Sequence, residues 1–424
     1  MWLLRGLTVL ATIIAALLSS CSSTLAPTLG THQSEPTQEI PQTVENPPIT
    51  PTSTVVEPEY ADIVINRLDI LPSLPKTAEL DGKLFLDVRV GSTSPPLRLD
   101  MKTGEKILQP ELEKDGLYFR LSPDHRSLAF MSFQTGEDKL VVMTADGNER
   151  EVADWSYMDW LGIAYWINNQ KLAVATRRGF ERGSAPPLLF FNVENGIYHQ
   201  VEGEYPYIDE TAADNLRWRT STFYDPTESL VAYVAYKDEA SSLILWDLQK
   251  EEIIGELKPW RYSFDPPKWS LDGQNLFIVN EIEDTRGTSK SYSEIFSMTT
   301  SGEIQRLTNL SGYYGLSRIT SFRPSPDSRF VAFWFENPFV DEYETLLILD
   351  IHQSTITNYY IPGNQWGSVS GNIVWSPSSR QLVVNNISED SESISRVILF
   401  DIEEEYAAVI AENLAPIAWL ADSP

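Results

Sequence analysis

The 424-residue chain holds a single cysteine, Cys21, so it cannot form an internal disulfide. An exported chain of this kind must be stabilised by a core, and its length permits a large one. Histidine is equally scarce, with only His32, His125, His199 and His352. None has a partner at metal-ligand spacing, so no metal and no cofactor is expected. The patterns G-x-S-x-G and H-E-x-x-H and the P-loop are absent. No catalytic residue is assigned, and an enzyme is not expected. A glycoside hydrolase or lyase stays open only because a carboxylate pair can hide among so many acids. Basic residues are few: 32 Lys and Arg stand against 60 Asp and Glu, a net charge of −28. That balance argues against nucleic acid and against flat docking on anionic lipid. Beyond the first twenty residues, no apolar stretch approaches membrane-spanning length.

Those first residues are organised. Arg5 precedes the apolar run "LTVLATIIAALL", about the length of a secretory h-region, and "LSSC" follows at once. Leu18, Ser19, Ser20 and Cys21 in this order resemble the bacterial lipobox. The resemblance implies cleavage before Cys21 and acylation of its thiol and new N-terminus, the multiple chains that stable anchoring needs. Residues 1–20 then form a signal peptide. Residues 21–58 are rich in Pro, Thr, Ser and Glu and poor in large apolar side chains, the composition of a semi-extended tether. The expected location is extracytoplasmic, with contact to a bacterial membrane through the lipid alone.

From residue 59 the chain repeats itself. "LSPDHRSLAF", "WINNQKLAVA", "YDPTESLVAY", "WSLDGQNLFI", "PSPDSRFVAF" and "WSPSSRQLVV" align, with "AELDGKLFLD" as a weaker first copy. Each is a strand end, a polar turn and an apolar strand. Their turn residues Asp81, Asp124, Asn169, Thr227, Asp272, Asp327 and Ser378 lie 43 to 58 residues apart, the spacing of four-stranded propeller blades. A second element recurs between them, an apolar strand often ending in Asp or Asn, as in "LRLDMKTGEKI", "LLFFNVENGIYHQV" and "VILFDIEEEYAAVI". The pair "WSLDGQNLFIV" and "EIFSMTTSGEIQRLTNL" resembles the repeat of TolB-like propellers, and more loosely WD-repeat propellers, over about residues 75–424. The expected fold is all-β: a seven-bladed propeller of antiparallel four-stranded blades. The C-terminal strand around Ile417 to Leu420 completes the first blade and closes the ring. Six or eight blades remain alternatives, because "DIVINRLDIL" can supply a strand of its own. Trp269, Trp375 and Trp419, just before the repeated turn, are assigned to packing between blades.

Antiparallel blades sort their connections onto two faces. The longer connections, from strand two to three and from blade to blade, share one face and carry Arg177, Arg178, Phe180, Arg182, Tyr205, Tyr207, Trp218, Arg219, Trp260, Arg261, Tyr262, Tyr313, Tyr314 and Trp366. Tyr, Trp and Arg are enriched at interface hot spots, so these are the candidate binding residues, "PWRYS" first among them. The alternative role for these aromatics is packing between blades. The acidic runs "EDSES", "DIEEE" and "DEYE" match no EF-hand pattern and read as solvated loop charge. The TolB resemblance implies protein–protein interaction in the cell envelope, by a monomer. Capture of a small ligand, peptide or glycan in the central mouth is the second reading.

Overall fold

A computed structural model describes residues 60–422, except residues 77, 89–96, 109–116, 135–136, 155–159, 177–187, 201–221, 238–239, 262–264, 284–290, 316–317, 337–342, 366–371 and 389–390. The signal segment, Cys21 and the tether lie outside the described residues.

Successive side chains of a strand point to opposite faces, so a strand buried on both faces reads as one apolar run. Phe330–Glu336 is the plainest case, buried at every position. Phe330, Ala332 and Trp334 join one apolar cluster, and Val331, Phe333 and Phe335 join another. The described strands form seven sheets. Blade 1 pairs Leu414–Leu420 with Lys83–Val88, Leu97–Asp100 and Lys106–Leu108. Blades 2 to 7 begin, in chain order, at Leu117, Trp160, Thr222, Lys268, Arg318 and Ile373. Among the described residues the apolar clusters also number seven, each filled from two consecutive blades, and the seventh joins blade 7 to blade 1. Side-chain packing therefore closes the ring independently of strand pairing. At roughly 1.5–3 kcal/mol for each fully buried large side chain, these inter-blade cores are the principal source of stability. First strands touch in turn from blade 6 through blades 7, 1 and 2 to blade 3, which puts these strands on the inner side of the ring.

The repeated turns follow from local hydrogen bonding. Ser122, Ser270 and Ser325 each donate through Oγ to the Oδ1 of the aspartate two residues on, at 2.7, 2.6 and 2.6 Å. Each Oγ also accepts the backbone N–H five residues on, at 2.9 Å. The second turn uses an Asx motif, in which a side-chain oxygen replaces a backbone acceptor. Oδ1 of Asp100, Asn192, Asp247, Asp350 and Asp401 accepts the N–H groups of the second and third residues beyond it.

The C-terminal strand pairs antiparallel with Lys83–Val88, Leu420 opposite Lys83 and Trp419 opposite Leu84. This removes the open edges that a ring with a missing strand would leave. His125 of blade 2 donates from Nδ1 to the Trp419 carbonyl at 3.1 Å, and the Ala421 N–H donates to the His125 carbonyl at 2.7 Å. Gly82 has φ +88°, and a Cβ there would lie 2.3 Å from the Leu420 carbonyl oxygen. Only glycine fits this seam. "DIVINRLDIL" builds no eighth blade. Its strands Asp62–Ile65 and Ile70–Leu71 add parallel edges to the outermost strands of blades 6 and 7. The one helix among the described residues is Leu310–Tyr314, and none there is long and apolar enough to cross a membrane.

Candidate ligand site at the ring axis

Two residues before the turn serine, three copies of the repeat carry a cation: Arg120 in "RLSPD", Lys268 in "KWSLD" and Arg323 in "RPSPD". Other copies place Tyr165, Phe223, Val374 and Ala418 at this position. It falls on the first strand of its blade, and the charges of Arg120 in blade 2 and Arg323 in blade 6 both act on Lys268 in blade 5. Backbone bonds hold the two arginines alike. Arg120 Nη1 donates to the Phe119 carbonyl at 2.9 Å, and Arg323 Nη1 to the Phe322 carbonyl at 2.7 Å. The next blade's tryptophan braces each strand: Trp166 Nε1 donates to the Arg120 carbonyl at 2.8 Å, and Trp375 Nε1 to the Arg323 carbonyl at 2.9 Å. Trp375, assigned to packing, thus also positions Arg323, and Trp166 does the same for Arg120.

Asp265, just before blade 5, sits among these cations. Its Oδ2 accepts from Arg323 Nη1 and from the Phe322 N–H, both at 2.8 Å, and its Oδ1 lies 3.2 Å from Lys268 Nζ. Burial alone would push this carboxyl upward. Arg323, Lys268 and the Phe322 N–H together outweigh burial and hold it well below the usual carboxylate range. Lys268 Nζ also donates to the Pro266 carbonyl at 3.3 Å and lies 4.3 Å from the Phe322 ring centroid. Burial pulls the Lys268 ammonium down; Asp265 raises it, Arg323 and Arg120 lower it, and it settles at about 7. Lys268 and Arg323 on the Asp265 carboxylate, with the charge of Arg120 felt at Lys268, make a cluster of basic side chains inside a strongly acidic protein. Guanidinium forks suit carboxylate and phosphate oxygens, so the arrangement can hold an anion.

Of the sequence candidates, Arg177, Arg178, Phe180, Arg182, Tyr205, Tyr207, Trp218, Arg219, Tyr262 and Trp366 lie outside the described residues. Trp260 lies in the core between blades 4 and 5 with 5% of its surface exposed, so its ring is committed to packing rather than to a partner. Arg261 beside it is exposed, its N–H bonded to Asn280 Oδ1 at 2.8 Å. Tyr313 is 57% exposed and meets Tyr314 edge-on, with ring centroids 4.7 Å apart. Tyr314 packs on Phe335, and its hydroxyl accepts from Asn358 Nδ2 at 3.2 Å. Both tyrosines stand on the short helix, whose start is fixed by the fully buried Glu294. That carboxylate accepts from Thr308 Oγ1, the Leu310 and Ser311 N–H groups, Ser311 Oγ and Arg306 Nη2, at 2.6 to 3.0 Å. The axial cations escaped the sequence reading because it weighted long loops. Comparing repeat copies column by column exposes them.

A second titratable pair lies at the opposite end of blade 6. Glu336 faces Arg318 across the strand pair, Oε2 3.5 Å from Nη1. Glu344 is 5% exposed, and its Oε2 has no hydrogen-bond partner among the described residues. Burial, reinforced by Glu336, pushes its carboxyl up to about 7. Among the described residues no group of three or more metal-ligating side chains occurs.

No family model matches the chain, and no curated protein matches its sequence. Solved structures with the same kind of fold include TolB from Acinetobacter baumannii, at 11% identity and TM-score 0.40 over 80% of this chain and 67% of that one. An oligogalacturonate lyase in complex with manganese is 15% identical at TM-score 0.49, covering 79% and 86%. The periplasmic gluconolactonase PpgL of Pseudomonas aeruginosa is 13% identical at TM-score 0.47, covering 80% and 98%. The likeness is one of fold. The chain is a seven-bladed β-propeller, distantly similar in structure to TolB-like and other propellers.

Proposed function

We propose that this protein is a membrane-tethered, extracytoplasmic binding propeller that holds an anionic ligand at its axis without converting it. One observation carries the reading: Lys268 and Arg323, from adjacent blades, share the Asp265 carboxylate, and the charge of Arg120 from a third blade acts on Lys268, in a protein of net charge −28. A cation cluster against such a background concentrates negative ligands where the surrounding surface repels them. Two of the three cations are arginines, which stay charged and act by holding rather than by proton transfer. The lipobox-like "LSSC" supports the tether and the location. Protein–protein interaction in the envelope is the second reading, favoured by the exposed Tyr313 on a helix fixed by Glu294.

Native mass spectrometry of the protein purified from its own envelope tests the first reading. The wild type retains an anionic small molecule that the doubly substituted Arg120→Gln/Arg323→Gln protein releases. The same ligand retained by both would move the site elsewhere.

A further inference from the structure

Residues 60–71 run along the outer rim of blades 6 and 7. Their two strands, Asp62–Ile65 and Ile70–Leu71, pair in parallel with the outermost strands of those blades, so each adds a fifth strand to a finished sheet. The ring closes without them, through the C-terminal strand. Asp62, Val64 and Ile65 are exposed, and parallel pairing is slightly weaker per residue than antiparallel. A short, exposed edge of this kind belongs to the low-stability end of a fold, where local opening begins.

This segment is built into the support of the helix Leu310–Tyr314 at three points. The first is Tyr60, whose ring lies 5.0 Å from the Arg306 guanidinium carbon. Arg306 in turn braces the helix start. Its Nη2 donates to Glu294 Oε1 at 2.7 Å, Asn309 Oδ1 at 2.9 Å and Ser311 Oγ at 3.3 Å, and its Nε donates to the Thr308 carbonyl at 2.7 Å. The second is apolar: Ala61 and Ile63 share one cluster with Leu310 and Tyr314. The third is Asn358, which is buried. Its carbonyl accepts the Asn66 N–H at 3.0 Å, and its Nδ2 donates to the Tyr314 hydroxyl at 3.2 Å. Asn358 Oδ1 also accepts the N–H of Tyr360, which holds φ +56° and has Arg67 over its ring at 5.9 Å. Tyrosine rarely adopts that backbone conformation, which persists only where its surroundings fix it.

We propose that residues 60–67 are a latch on the Tyr313 helix: their seating against blade 6 sets how firmly Tyr313 and Tyr314 are presented. The inference rests on the second reading, in which that helix meets a protein partner, and stands apart from the axial ligand. Coupling of this kind is reciprocal. Lifting the segment loosens the helix, and a partner that fixes the helix holds the segment down. The segment directly follows residues 21–58, the expected tether, so the anchored end of the chain and the partner surface become parts of one device.

Hydrogen-exchange mass spectrometry of the full chain tests both directions. Tyr60→Ala should speed exchange over residues 310–315 by about 2- to 5-fold, the worth of one cation–π contact. Tyr314→Phe keeps the ring but removes the acceptor of Asn358 Nδ2, and should speed exchange over residues 62–66. The blade 2 strand Ser127–Gln134 should be unchanged in both variants. Unchanged helix exchange in Tyr60→Ala, or unchanged exchange over residues 62–66 in Tyr314→Phe, overturns the latch. Equal acceleration in Ser127–Gln134 overturns it too, because the segment then stabilises the ring as a whole. None of these outcomes needs a partner, so failure of the latch and failure of the partner reading are told apart.

Discussion

His125 and Glu344 set opposite pH dependences in one molecule. His125 is buried, and burial lowers its imidazole to about 4, against 6.5 for the unperturbed group. Below 6.5 the unfolded chain takes up this proton before the folded one does. Stability is therefore lost as pH falls from 6.5 to about 4, by up to about 3 kcal/mol. Glu344 runs the other way: the folded protein keeps its proton up to about 7, while the unfolded chain releases it near 4.5. Stability is lost as pH rises across that window, again by up to about 3 kcal/mol. The two nearly cancel in the wild type between about pH 4.5 and 6.5. Chemical denaturation against pH separates them. His125 has φ +57°, a conformation asparagine tolerates, so His125→Asn should gain stability relative to wild type toward acid, and Glu344→Gln should gain it toward alkali. Parallel curves for a variant and wild type would remove that residue from the account. Neither role is legible in sequence. His125 is one of four scattered histidines, and the Glu344 burial depends on strands of blade 6 that only the fold brings together.

At the scale of elements, turn chemistry was the readable part. A carboxylate or amide ending an apolar strand captures the N–H groups that follow it, whichever blade it belongs to. This local rule made the repeat, the seven blades and the closing strand recoverable from residue patterns. Partners distant in sequence were not. Asp265, in "SFDPP", reads as a loop acid until blade 6 brings Arg323 to it. Trp260, in "PWRYS", reads as a loop aromatic until blades 4 and 5 close over it. The seam where the chain ends meet gives a direct test. Gly82→Ala must strain a backbone at φ +88° and drive a methyl into the Leu420 carbonyl. It should cost at least ~2 kcal/mol in equilibrium denaturation and expose the C-terminal strand to limited proteolysis. Gly104→Ala, at φ +73° with open space around it, isolates the backbone part of that cost. Equal losses at the two glycines would mean that the Leu420 contact does not constrain the seam.

At the scale of the whole molecule, a chain of net charge −28 gathers basic side chains of blades 2, 5 and 6 about Asp265 and Lys268. Exposed charges are screened over about 8–10 Å at physiological ionic strength, so distant surface acids act weakly on this half-buried cluster. The tether is a separate claim with its own test. Cys21→Ala should move the protein from the membrane fraction to the soluble one, and retention in the membrane would refute lipid anchoring. The central claim is the axial site, and titration with malonate as the anionic probe, wild type against Arg120→Gln/Arg323→Gln, tests it most directly. With the fold confirmed by an unchanged circular dichroism spectrum, the account predicts a loss of at least about 10- to 100-fold in affinity, the value of one strong charge-assisted contact where two arginines are removed. Equal affinity in the two proteins would contradict it.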